Sequence, residues 1–555
     1  MVRLLFFVLV LSVAGGAAAC DLLIRGGTVF DGSGTPGIVT NVVVAGDRIA
    51  GIGDDAPACA RTIDATGHAV APGFINMLSW ATQSLIEDGR GLSDLRQGVT
   101  LEVMGEGWSM GPLNDAMRED RLARQGDIRF EIPWTTLGEY LDHLVERGVS
   151  VNVASFVGAS TVRIHELGEE DRPPTAEELE RMRGLVRVAM EEGAMGLGAS
   201  LIYAPAFYAD TDELVALAEV AGEYGGSYIT HMRSEGDRLL EGVAETIEIA
   251  ERADLPAEIY HLKAAGEANW GKLEEVIRTI EAARDRGLAI RTNMYTYTAG
   301  ATGLDAAMPP WAQAGGHNAW VERLQDPEIR ARVVQEMQAP AEGWENLMRA
   351  AGSADRLLLV SFKNPDLKHL TGRTLADVAA ERGQSPEETA IDLVIEDDSR
   401  VGTVYFLMSE ENVRRQIALP WMGFGSDGGA PAPEGNFLKS NPHPRAYGNF
   451  ARLLGRYVRD EGVIELREAI RRLTSLSADR LGIGDERGRL APGYYADVVI
   501  FDPATIRDNA TFAEPHQLAE GVRDVFVNGV PALLDGEATD NRPGRVVRGP
   551  GYRSR

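Results

Sequence analysis

A chain of 555 residues exceeds one ordinary domain and can bury a large core. Its composition is globular, 44% hydrophobic and 25% charged, with a formal net charge of −28 at pH 7. That charge excludes nucleic acid and anionic lipid as broad-surface partners. It leaves a small-molecule substrate open, because such a ligand meets only the local field of its pocket.

Residues 1–19 carry one early positive charge at Arg3, an apolar run from Leu4 to Val13 and small residues from Ala14 to Ala19. This is the pattern of a secretory signal peptide, too short to span a bilayer as a mature helix. The expected location is therefore the bacterial periplasm or envelope. Cleavage after Ala19 leaves Cys20 first. Two fates are open for it: lipid attachment, as in a lipobox, or a disulfide to Cys59, the one other cysteine.

From Asp21 to about Pro72 short alternating strands are separated by Gly and Asp turns. The same texture returns near the C-terminus, in GRLAPGYYADVVIFDP and VRDVFVNGVPALLDG. The two patches are expected to form one small β-sandwich, residues 20–72 with 485–540, followed by a polar tail at 541–555. Between them, residues 73–484 alternate strand and helix. The strands are expected at Val70–Ile75, Val99–Met104, Val151–Val157, Ala194–Gly198, Ser227–His231, Ala257–His261, Ile290–Tyr295 and Trp421–Gly425. Helices such as Glu177–Glu192 and Thr211–Tyr224 fall between them. Eight such strands predict an α/β fold, a (β/α)8 TIM-like barrel. About 298–412 is too long for one crossover helix and is expected to be an insertion, with helices and a short strand at Leu357–Phe362.

The fifth and sixth strands carry the clearest chemical signal. Each closes on a histidine, His231 and His261, and Leu239, Leu240, Val243, Ile247 and Ala250 recur between them at helical spacing. Strand, helix, strand places the two strands parallel and adjacent, so both imidazoles reach the barrel edge that holds active sites. Either histidine alone reads as a buried, hydrogen-bonded residue; the pair in matching positions reads as metal ligands. Near the eighth strand, GFGSDGG sets Asp427 among glycines, where it suits a general base or a turn aspartate equally. Glu106, in VMGEGWSMG, could be an oxygen ligand or a solvated loop residue. Arg445, in NPHPRAYG, suits a carboxylate clamp. Its neighbour His443, Lys263 beside His261, and Tyr203 in ASLIYAPAFY complete the substrate-binding candidates. No Gly-rich phosphate loop, serine elbow or reactive cysteine pattern occurs.

The segments DLLIRGGTVFDGSG, GVTLEVMGEG, THMRSEG, YHLK, GSDGG, HPRAYGNFARLLGRYV and GRLAPGYYADVVIFDP together resemble the N-acyl-D-amino-acid deacylase (D-aminoacylase) family of the amidohydrolase superfamily. The resemblance spans essentially the mature chain. It implies a zinc-dependent barrel that hydrolyses the amide joining an acyl group to a D-amino acid through a metal-activated water. His231 and His261 match zinc ligands, Asp427 the catalytic aspartate, and Arg445 and Tyr203 substrate-binding positions. Two departures stand out. Relatives usually follow PGFID with a His-x-His pair, whereas this chain reads PGFINMLSW, with Leu78 and Trp80 in those places. Relatives often carry a cysteine ligand after the second strand, where this chain has Glu106. The expectation is one zinc per chain, held by Glu106, His231 and His261. Alternatives are hydrolysis of another C–N bond (a cyclic amide, a D-residue dipeptide or an aryl amide) and a catalytically silent metal-binding relative. A homo-oligomer is left open.

Overall fold

The computed structural model describes residues 20–554 apart from Ala56, so the expected signal peptide lies outside the described residues. Eight parallel strand positions build the barrel: β1 (Phe74–Asn76), β2 (Val99–Met104), β3 (Asn152–Ser155, resuming at Val157–Gly158), β4 (Gly196–Ser200), β5 (Ser227–His231), β6 (Ala257–Ile259), β7 (Ile290–Met294) and β8 (Met422–Phe424). Nearly every residue in them is buried, as expected of strands covered on both faces. β1, β2 and the first half of β3 form one ladder; the second half of β3 continues through β4 to β8. The ladders join across Phe156, whose N–H donates to the Met104 carbonyl at 2.8 Å. The other seam closes where the Asp427 N–H donates to the Leu78 carbonyl at 2.9 Å and Ser79 bridges Gly428.

The crossover between β5 and β6 is the helix Leu239–Arg252, with Leu239, Val243, Ile247 and Ala250 buried. The helices expected at Glu177–Glu192 and Thr211–Tyr224 run Ala176–Glu191 and Thr211–Glu223. The first expected strand divides in two. Ala69–Pro72 pairs antiparallel with Val498–Phe501 in the terminal sheet, and only Phe74–Asn76 enters the barrel. Gly73 is the joint: a Cβ there would lie 2.1 Å from Thr100 Oγ1. β6 also stops early, at Ile259, because the chain turns at Tyr260 and His261 takes φ 33°.

Both chain ends enter one nine-stranded sheet. Leu22–Val29 pairs first with Arg61–Asp64 and then, past a bulge at Arg25–Gly26, with Ala69–Val70, which turns the sheet around a core of Leu22, Ile24, Val42, Val70, Val498 and Phe526. Cys20 and Cys59 are joined in a disulfide with Cα atoms 4.6 Å apart, which occupies the sulfur that a lipid would need. The polar tail is docked. Residues 544–549 run beneath β3 and β4, with the Val153 N–H donating to the Arg545 carbonyl at 3.0 Å and the Gly549 N–H to the Gly193 carbonyl at 2.8 Å. The insertion builds its own antiparallel sheet from Gly300–Gly303, Gly402–Tyr405 and Leu357–Ser361. Its helices enclose a separate core that includes Leu304, Trp320, Leu359, Ile391 and Tyr405.

Candidate functional site

A cavity of about 340 Å³ opens at the C-terminal ends of the strands, roofed by the insertion through Thr302, Leu347, Arg400 and Leu407. His231 is the last residue of β5, and His261 follows β6 by two residues. Glu106 follows β2 by two residues, inside a glycine loop pressed on its neighbours. A Cβ on Gly105 would lie 2.3 Å from the Phe156 carbonyl, so this loop needs glycine there. One side-chain atom from each of Glu106, His231 and His261 lies within 4.8 Å of the others, and all three residues are buried. Glu106 Oε1 sits 2.9 Å from His261 Nε2 and 3.4 Å from His231 Nδ1.

This donor set fits a divalent metal. Two imidazoles and a carboxylate are a known catalytic zinc arrangement with a position left for water. His231 Nε2 is buried without a hydrogen-bond partner, 3.4 Å from Glu235 Oε2, so the ring has a nitrogen open to a ligand. Burial and Lys263 oppose a proton on His261, yet Glu235 and Glu106 outweigh them and raise its pKa to about 9. Burial alone would raise the Glu106 pKa, but His261 and His231 hold it well below the usual carboxylate range.

The other expected residues come together around this cluster. Asp427 follows β8 at φ 49°, a left-handed conformation that Asp tolerates better than most residues. Burial raises its pKa, Arg445 opposes that, and the charge of Glu106 adds to it. Arg445 does not face the cavity with its whole fork. Its Nη2 lies 2.8 Å from Asp427 Oδ2 in a buried ion pair, while Nε and Nη1 are buried without hydrogen-bond partners. Lys263 is buried rather than solvated, its Nζ 2.7 Å from Glu235 Oε1 and 2.8 Å from His261 Nδ1. It therefore supports His261 more directly than any substrate. Tyr203 stands edge-on to His231, ring centroids 5.3 Å apart, and burial raises its pKa well above 10, so its hydroxyl keeps its proton. His443 lines the wall with both nitrogens committed. Nε2–H donates to the Ala299 carbonyl at 3.0 Å and Nδ1 accepts from the Arg445 N–H at 3.0 Å. It fixes the Arg445 loop and has no nitrogen left for a substrate or metal.

A model of the amidohydrolase family matches residues 61–532. The chain is 36% identical to a D-aminoacylase of Alcaligenes xylosoxydans xylosoxydans over 537 residues, covering 95% of this chain and 97% of that protein. It is 32% identical to an N-acyl-D-aspartate deacylase of the same organism, over 96% of this chain and 95% of that one. Among solved structures, a D-aminoacylase superposes with a TM-score of 0.79 at 34% identity, over 95% of this chain and 100% of that one. The N-acyl-D-glutamate deacylase of Bordetella bronchiseptica, solved with zinc and a phosphonate mimic of the tetrahedral intermediate, superposes with a TM-score of 0.79 at 29% identity, over 96% of this chain and 100% of that one.

The chain belongs to the D-aminoacylase branch of the amidohydrolases. It is a hydrolase of non-peptide carbon–nitrogen bonds.

Within this D-aminoacylase-like site, three residues went unread in the sequence. Glu235, four residues after His231, reaches His261 Nδ1 at 3.0 Å and Lys263; its spacing from His231 was the available signal. Tyr295, one residue past β7, lies under the Arg445 guanidinium at 4.5 Å. Arg400 enters from the insertion and is already paired with Asp305 at 2.9 Å; no motif marks it. The Trp80 indole N–H donates to Glu106 Oε2 at 2.8 Å and Asp427 Oδ1 at 3.1 Å.

Proposed function

We propose that this protein hydrolyses the amide bond of N-acyl-D-amino acids with one zinc ion per chain, held by Glu106, His231 and His261. The observation that carries this reading is Arg445. A buried guanidinium with two unpartnered donors is costly unless a ligand completes it, and a carboxylate supplies the matching acceptors. Arg445 lines the same cavity as the three ligands, so a substrate carboxylate held by its guanidinium would bring the neighbouring amide toward the metal site.

When bound, the ion would supply the Lewis acidity that activates water and polarises the amide carbonyl. The remaining work falls to the chain. Asp427 keeps free lone pairs beside its hydrogen bond from Trp80 and its ion pair with Arg445, so it can accept the proton of the attacking water and return it to the departing amine. The Tyr203 hydroxyl is a donor available to a substrate oxygen. The D configuration is carried by likeness to the D-aminoacylase and the two D-specific deacylases. The test is a panel of acyl-D and acyl-L amino acids, cyclic amides, D-residue dipeptides and aryl amides, with metal analysis on the same sample. Turnover confined to acyl-D-amino acids, with about one zinc per chain, is expected. Turnover of another class alone would overturn the substrate assignment, and a metal-loaded, inert protein would overturn the catalytic one.

We propose also that the protein is exported, since residues 1–19 read as a signal peptide and a Cys20–Cys59 disulfide persists in an oxidising compartment. Recovery from the periplasm with Cys20 as first residue is expected; a full-length cytoplasmic protein would refute it.

A further inference from the structure

Among the described residues that face the cavity, Trp80 is the one whose side chain hydrogen-bonds to both acids of the proposed chemistry. Its backbone explains how. The Trp80 N–H donates to the Gly428 carbonyl at 2.9 Å, and the Ser79 N–H to the Val103 carbonyl at 2.9 Å. The segment after β1 is thus stitched on one side to β2, which leads to Glu106, and on the other to the loop that carries Asp427. From that seam the indole N–H lies 2.8 Å from Glu106 Oε2 and 3.1 Å from Asp427 Oδ1. The second oxygen of each acid has a different task. Glu106 Oε1 faces His231 and His261, and Asp427 Oδ2 meets Arg445.

We propose that Trp80 is a positioning residue that sorts the oxygens of Glu106 and Asp427, holding Glu106 to the metal through one oxygen and Asp427 beside the substrate. Two carboxylates at this separation repel each other, and an indole N–H shared between them is a donor that carries no net charge. It orients both acids without neutralising either. With its Oε2 bonded to Trp80, Glu106 offers a single oxygen to the histidine cluster. This proposal rests on the ligand assignment above.

The experiment compares wild type with Trp80→Phe, which keeps an aromatic ring and loses the N–H. Zinc affinity is measured by chelator competition, and kcat and KM on an acyl-D-amino acid. Partners that orient ligands typically contribute about 10- to 100-fold to affinity or activity. Zinc is therefore expected to bind at least about tenfold more weakly, and kcat at saturating zinc to fall about tenfold or more with KM nearly unchanged. In an Asp427→Asn background the kcat cost of Trp80→Phe should shrink, because one of its two targets has lost its charge. Should the Phe variant fail to fold, benzothienylalanine at position 80 keeps the bicyclic shape and replaces only the N–H. A folded variant with zinc affinity and kcat both within twofold of wild type would overturn the proposal. So would equal kcat costs in the two backgrounds. The zinc arm stands independently of substrate identity: a loss of about tenfold in zinc affinity without the N–H supports the claim for Trp80 even if no acyl-D-amino acid is turned over, whereas absence of that turnover sinks only the proposed substrate.

Discussion

His231 and His443 both line the cavity, one from the end of β5 and the other from the loop after β8, but their nitrogens are used differently. His231 leaves Nε2 buried and unbonded, with Glu106 and Glu235 nearby. His443 has both nitrogens closed by backbone groups, and burial together with Arg445 pushes its pKa well below the usual 6.5. The first face sets Glu106 and Glu235 around the two imidazoles, which suits a cation. The second is built on Arg445 and is short of acceptors, which suits an anion. Burial does not distinguish the two histidines, since both are about 5% exposed. What distinguishes them is whether the surroundings already satisfy the ring.

The comparison breaks most visibly at the metal face. His261→Ala or Glu106→Ala should abolish zinc retention and activity together, whereas His443→Asn should retain zinc; elemental analysis of the purified variants decides. Glu106→Ala with full zinc would mean that the carboxylate is no ligand. The next largest effect belongs to Asp427. Asp427→Asn should keep zinc and leave KM nearly unchanged while kcat drops about 10²- to 10⁴-fold, the usual range for loss of a general base. Near-normal turnover would remove Asp427 from the proton path.

How well the sequence exposed these two faces depended on how local the interactions are. His231, His261 and the helix between them follow from one βαβ segment, because helical spacing and strand ends are properties of neighbouring residues. The closing strand could be read only in part. Pro72 and Gly73 sit inside a continuous apolar run, and nothing local shows that the chain leaves one sheet and enters another there. The Trp80 bond to Asp427 spans 347 residues, and the Arg400 pairing with Asp305 forms inside an insertion with its own core. Lys263 reads in the sequence as a substrate-binding candidate, and nothing local shows that it is bound to Glu235, which comes from the neighbouring strand's loop. The resemblance to deacylases identified Arg445, but not that Asp427 already holds one of its three nitrogens.

On the anion face, Arg445→Ala tests the substrate clamp. A charge-assisted hydrogen bond contributes about 1.5–3 kcal/mol, so KM for a carboxylated substrate should rise roughly 10- to 100-fold. An amide substrate with the carboxylate replaced by a neutral group should be nearly indifferent. Equal losses on both substrates would show that Arg445 acts through Asp427 alone.

The smallest expected effect separates the histidines by their response to acid. In the unfolded chain His443 takes a proton near pH 6.5, whereas in the folded protein burial and the neighbouring Arg445 depress its pKa well below that. Above pH 6.5 neither state is protonated at this site, and the contribution to stability is constant. As pH falls below 6.5 the unfolded state gains a proton that the folded state refuses, so this residue lowers stability by up to about 1.4 kcal/mol per pH unit until the folded pKa is reached. The local reason is steric and electronic: a proton on Nδ1 would replace the acceptor of the Arg445 N–H with a second donor. His443→Asn should therefore be less stable than wild type at pH 7.5, with the gap narrowing steadily from pH 6.5 to 5. Chemical denaturation at several pH values, performed on the metal-free forms of both proteins, measures that gap without interference from zinc release. A gap that stays constant across this range would show that the fold does not depress the His443 pKa, and its assignment as a closed ring that refuses a proton would fall.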